Sequence, residues 1–168
     1  MIIDSHLHLW SDDEGRYPFA PGSRPSIPGS VELLNETMAE ASVEKAVIVN
    51  PILYLYDNRY VGDCLRRFPG KFAAVCLVNP KEPGAPDRLE QLVREHDFGG
   101  MRLHFSRQEN PWVLAEEDQY PLWQRVEALG VAFIALMKSP EQLPALEKMV
   151  ERFVPTPELS RPEAKVLQ

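Results

Sequence analysis

The feature that most restricts how this chain can fold is a fivefold alternation of short apolar runs with helical patterns. The runs at 2–9, 45–50, 72–79, 100–105 and 131–137 read as strands. Ala46-Val47-Ile48-Val49 and Ala74-Val75-Cys76-Leu77-Val78 are apolar at every position. Strands with both faces covered, as in a parallel sheet under helices, have this composition. Between the runs, apolar residues recur at three- and four-residue spacing. Val31, Leu34, Met38 and Ala41 form one stripe after a Ser30 cap, and Val61, Leu65 and Phe68 form another, stopped by Pro69-Gly70. Leu89, Leu92, Val93 and His96 mark a third helix, and Leu122, Val126 and Leu129 a fourth that Gly130 closes. The fifth opens with Ser139, Pro140 and Gln142 as cap, first-turn proline and capping-box partner, and is expected to bury Leu143, Leu146, Val150 and Phe153. Repeated β-α units predict an α/β fold with a parallel sheet, open or closed into a barrel.

Bulk properties narrow the function. A chain of 168 residues, 44% hydrophobic and 26% charged, fits one soluble domain with its own core. A net charge of −7 gives no electrostatic footprint for nucleic acid or an anionic membrane as partner. No apolar run has bilayer-spanning length and no signal peptide is evident, so the expected location is cytoplasmic. Cys64 and Cys76 read as reduced thiols in a helix and a strand.

Two connections exceed a simple turn, 10–29 and 106–117, and both follow strands, on the side where α/β proteins place their sites. The domain is expected over residues 1–153. After Phe153 the chain becomes a proline-rich tail, 154–168, with no sixth strand. A full eight-unit barrel typically takes ~250 residues, so the chain reads as a truncated barrel.

The chemistry gathers at strand ends. Asp4, His6 and His8 are spaced by two, which in an uninterrupted strand puts them on one face while Ser5, Leu7 and Leu9 take the other. Two imidazoles on one face suit a divalent metal, and the competing reading is a polar strand end. Arg102 and His104 share a face of the fourth strand; they hold a substrate carboxylate, or Arg102 forms a structural ion pair. Asn50 and Asn79, each before a proline, read as turn residues. Tyr54, Tyr56, Asn58 and Arg59 line a pocket or cap a rim, and Trp10 and Trp112 form a lid or cover apolar surface. His96, near a helix end, reads as structural.

The opening Ile2-Ile3-Asp4-Ser5-His6-Leu7-His8-Leu9-Trp10 resembles that of the amidohydrolase-related family, the branch with fuconolactonase-like and dicarboxylate lactonase-like hydrolases. The likeness continues through Tyr56-Asp57-Asn58-Arg59-Tyr60-Val61, Phe98-Gly99-Gly100-Met101-Arg102-Leu103 and Pro140-Glu141-Gln142-Leu143-Pro144, to about Phe153. It implies the first five units of a TIM-type (β/α)8 barrel and a hydrolase acting on a lactone or similar ester of a small carboxylate or sugar acid. By position His6 and His8 match the family's first metal-ligand pair, for which zinc is the expected ion, and Arg102 matches the family arginine near the substrate. Asp4 is expected to orient a histidine, completing the catalytic set Asp4, His6 and His8. The later family histidine and final aspartate have no counterpart before the chain ends. Alternatives are a TatD-type DNase, whose Gly-Glu-x-Gly strand is absent, a related-barrel decarboxylase, and an inactive remnant or half-barrel needing a partner. Open edges at the first and fifth strands predict self-association.

Overall fold

A computed structural model describes residues 1–104, 116–137 and 139–153, with the side chain of His104 outside that description. Each apolar run forms a strand: β1 Ile3–Leu7, β2 Lys45–Val49, β3 Phe72–Leu77, β4 Gly100–His104 and β5 Ala132–Leu136. The helices are α1 Val31–Glu40, α2 Arg59–Arg67, α3 Ala85–His96, α4 Tyr120–Leu129 and α5 Leu143–Phe153. The expected strands run one to three residues longer than those observed.

All strand pairs are parallel and the order is β1-β2-β3-β4-β5, with no reversal. A doubly wound open sheet reverses its strand order at a switch point. The unreversed, curled sheet here is the first part of a TIM-type barrel.

Register assigns the faces. Ala46, Ile48, Ala74, Cys76, Met101 and Leu103 form the convex face and are at most 2% exposed beneath the helices. Burial of that layer against Val31, Met38, Val61, Leu89, Leu92 and Trp123 supplies the core. The concave face carries Val49, Val75, Leu77, Arg102 and Ile134. Curling crowds this face. A side chain at Gly100 would meet the Ala132 carbonyl at 3.0 Å and Val75 Cγ2 at 3.1 Å, so β4 begins with glycine.

Local signals act at the helix ends. Ser30 Oγ accepts from Leu33 N at 3.4 Å and Gly130 closes α4 at φ 62°, whereas Ser139, expected to cap α5, accepts from Glu141 N and caps a 3-10 turn, Pro140–Gln142, that precedes it. One stripe differs. In α5 the buried residues are Ala145, Met149 and Phe153, while Leu143 and Val150 are 42% and 39% exposed. The helix packs chiefly on α4, so of the expected stripe Phe153 is buried and Leu146 packs in part against the core, while Leu143 and Val150 stay open. The tail 154–168 lies outside the described residues, and no described helix is long and apolar enough to cross a membrane.

Candidate functional site

The site is built at the end of β1. Ile3 pairs with Lys45 and Asp4 with Ala46, but the next pairing is Leu7 with Ile48, so one extra residue is inserted between. This β-bulge alters the expected arrangement. Paired residues of a parallel sheet point to the same face, and Asp4 therefore shares the side of Ala46, the convex one, rather than the face of His6 and His8. Leu7 and Leu9 turn toward the core, as expected, and Leu9 is 3% exposed.

His6 and His8 lie edge to face with ring centroids 5.2 Å apart. His8 Nδ1 is 2.7 Å from the carbonyl oxygen of Val49 at the end of β2. A carbonyl only accepts, so Nδ1 carries the proton and Nε2 is left with its lone pair. Desolvation, together with the nearby Arg102 and His6 charges, holds His8 below the usual histidine range, although its bond to Val49 acts the other way. Desolvation and these charges both favour the neutral ring, with the Nε2 lone pair free of this bond. Its orienting partner is the β2 carbonyl. The Asp4 carboxylate instead accepts the backbone N–H of His6 at 3.0 Å.

Arg102 enters from β4, between Leu77 and Ile134 in the register. It is 7% exposed, and its Nε, shut off from solvent, has no hydrogen-bond partner among the described residues. Desolvation pulls its pKa down from the ordinary arginine value. A buried guanidinium left this way is costly unless an anion meets it. His104 ends β4 opposite Leu136, and its side chain lies outside the described residues.

A divalent metal tests the donor set. His6 and His8 fit as two adjacent ligands, whereas a catalytic zinc takes three. Among the described residues no group of three His, Cys, Asp or Glu side chains is placed to hold an ion, so these residues form an incomplete set.

The neighbouring loops are internally braced. Tyr54, 5% exposed, accepts from Ser11 N through its hydroxyl at 2.7 Å and stacks on Phe19 at 5.0 Å. Trp10 donates from Nε1 to the Ile27 carbonyl and packs so tightly on Gly29 that a side chain there would lie 2.2 Å from its ring. Asn58 Oδ1 accepts from Leu77 N, and Asn58 Nδ2 donates to Leu77 O at 2.8 Å, pinning the loop to β3. Tyr54, Asn58 and Trp10 are thus struts of the rim. Asn79 forms its expected turn through Lys81 N, but Asn50 is fully buried and donates to Asp57 O and Asn58 Oδ1. That cross-loop role of the asparagines carries no mark in the sequence beyond the residue type. Arg59 is committed to Asp57 through Nε and Nη2. His96 lines a cleft of about 300 Å³ on the helix side, away from the histidine pair, with Tyr17, Arg59, Asp63 and Arg88. Trp112 and most of the loop 106–117 lie outside the described residues, and Cys64 and Cys76 are buried free thiols.

With this geometry in hand, similarity to known proteins can be stated. Residues 3–156 match the family model described as Amidohydrolase. The chain is 28% identical over 162 residues to an L-fucono-1,5-lactonase of Burkholderia ambifaria, covering 90% of this chain and 52% of that protein. A protein of Acinetobacter baumannii assigned as a 2-pyrone-4,6-dicarboxylic acid hydrolase, with citric acid bound, shares the fold at a TM-score of 0.73 and 18% identity, over 90% of this chain and 55% of its own. A Burkholderia multivorans amidohydrolase with bound zinc matches at a TM-score of 0.64 and 17% identity, over 91% and 54%. The chain spans about half the length of the relatives it matches.

Proposed function

The chain belongs to the amidohydrolase family, and on that premise we propose that it carries part of a hydrolase site for a lactone or similar ester of a small carboxylate or sugar acid. The observation that carries this reading is Arg102. A guanidinium buried on the concave face, its Nε without a partner among the described residues and close enough to depress His8, calls for an anionic ligand beside the histidine pair. A substrate carboxylate meets that need, and a bidentate clamp orients the scissile carbonyl relative to the imidazoles. Citrate in the A. baumannii relative is a carboxylate ligand of the same kind.

His6 and His8 are the ligands this chain offers a divalent ion, for which zinc is the first candidate given the B. multivorans relative. Such an ion, when bound, supplies an activated water at neutral pH. The chain's own part is to keep His8 neutral, hold its Nδ1 proton on Val49 O and anchor the substrate through Arg102.

The test is a panel of sugar-acid and dicarboxylate lactones assayed with Zn²⁺ titration. Because the described residues supply two ligands, the 168-residue chain alone is expected to bind Zn²⁺ weakly and to hydrolyse lactones little above background. Fused to the second half of a family hydrolase, it gains activity that His6→Ala abolishes. A fusion that binds zinc yet turns over no lactone rejects the substrate class. Ordinary enzymatic rates from the short chain, lost on His6→Ala, reject the ligand count.

A further inference from the structure

The two histidines face the concave side only because β1 is bulged. Asp4 pairs with Ala46 and Leu7 with Ile48, so two residues, Ser5 and His6, stand opposite Val47 alone. Continued without the extra residue, the pairing would set His6 against Ile48, Leu7 against Val49 and His8 against Asn50. Ile48 is fully buried beneath the helices, and Asn50, just past the end of β2, is fully buried as well. Both imidazoles would then be driven toward the core, and Leu7 would face the site. A shift of one residue exchanges the faces of everything after it.

Bulges are uncommon in parallel sheets, and each leaves a backbone group without its ladder partner. Here the carboxylate of Asp4 accepts the N–H of His6 at 3.0 Å, two residues on. We propose that Asp4 is a positioning residue: by capping the His6 N–H it stabilises the bulge, and the bulge turns His6 and His8 together onto the concave face. The acceptor oxygen matters, and the negative charge does not. The functional weight of this device rests on the reading of the histidines as metal ligands, but the register itself can be observed without any metal.

The experiment compares the full chain with Asp4→Ala, Asp4→Asn and a deletion of Ser5 combined with Asp4→Ala. Cross-strand Hα–HN contacts in isotope-labelled protein report the register, and Zn²⁺ titration reports the pair. In the unaltered chain Leu7 contacts Ile48. In Asp4→Ala that contact weakens in favour of Leu7 with Val49, and Zn²⁺ affinity falls by about tenfold or more, as for loss of an outer-shell partner. Asp4→Asn keeps the acceptor and retains both. Deleting Ser5 removes the extra residue, so His6 falls opposite Val47 with no bulge to cap, and the double variant recovers the Leu7–Ile48 contact without Asp4. An Asp4→Ala chain with unchanged register overturns the proposal, as does an Asp4→Asn chain that behaves like Asp4→Ala, or a deletion that fails to rescue. If the unaltered chain binds no Zn²⁺, the metal reading fails and the register data alone judge Asp4.

Discussion

Arg102→Met should make the protein more stable and less able to bind an anion. Methionine keeps the apolar stem of arginine up to the position of Nε and ends there, so the stem beside Leu77 and Ile134 is retained while the charged head is removed. What is removed is a guanidinium 7% exposed whose Nε is buried without a partner among the described residues. An unsatisfied buried donor costs about 1–3 kcal/mol. In a domain of this size each kcal/mol moves Tm by about 2–4 °C, so the variant should melt higher by about 2–12 °C. Calorimetry with and without citrate separates the two effects. Citrate at 100 times its Kd should stabilise the unaltered protein by about 2.7 kcal/mol and leave Arg102→Met unmoved. A variant that melts lower than the parent, with both proteins equally protected by citrate, would refute the claim that Arg102 is held for an anionic ligand.

Three further outcomes follow from the geometry. Asp63 accepts from Tyr17, Arg16 and Arg66; burial pushes its carboxyl up, but these bonds and charges outweigh that and leave its pKa below the usual range. Because the folded pKa is the lower one, the contribution is present at neutral pH and lost as pH falls through it. Asp63→Asn should therefore cost about 1 kcal/mol in urea melts at pH 7, its arginines being solvent-exposed, and the difference should shrink at about pH 3. Leu55 has φ 53° and ψ −115° in a turn closed by Asp57 N on Tyr54 O at 3.1 Å, a conformation suited to glycine, and its side chain is 44% exposed. Leu55→Gly should leave stability unchanged or raise it by about 1 kcal/mol, whereas Leu55→Val should lower it in the same melts. Strand β1 lies at the sheet edge with Ile2 and Ile3 54% and 46% exposed, so light scattering on the isolated chain should show self-association; a monodisperse monomer would count against it.

The architecture was legible because its signals are redundant. Both-face apolar runs, helix stripes and caps at Ser30, Gly130 and Ser139 all demanded the same β-α alternation, and the structure uses each of them. Arg102 stood out in the sequence because arginine in an otherwise apolar strand has few structural uses. Its rival reading, an ion pair, finds no partner at Nε among the described residues. The stripe of α5 was misread because periodicity fixes a helix's apolar arc but not how much of it a neighbour covers. At an edge, with α4 on one side, Leu143 and Val150 stay open.

The misplacement of Asp4 has a different origin. Spacing by two assigns a shared face only where the backbone alternates without interruption, and Asp4-Ser5-His6-Leu7-His8 satisfies that pattern on paper. Hydrophobicity does not reveal the break, since Ile3, Leu7 and Leu9 all suit a single apolar face. Leu7 and Leu9 must face the core, and Ile3 pairs beside Lys45 on the concave side. Strict alternation would put Ile3, Leu7 and Leu9 on one face, yet Leu7 and Leu9 are packed with the helices and Ile3 is not. The strand changes phase between Ile3 and Leu7, and the residue able to stabilise that change is an aspartate placed two before the N–H it caps. The acid of this motif is then read best as backbone chemistry, which sets where the histidines point before any metal or substrate arrives.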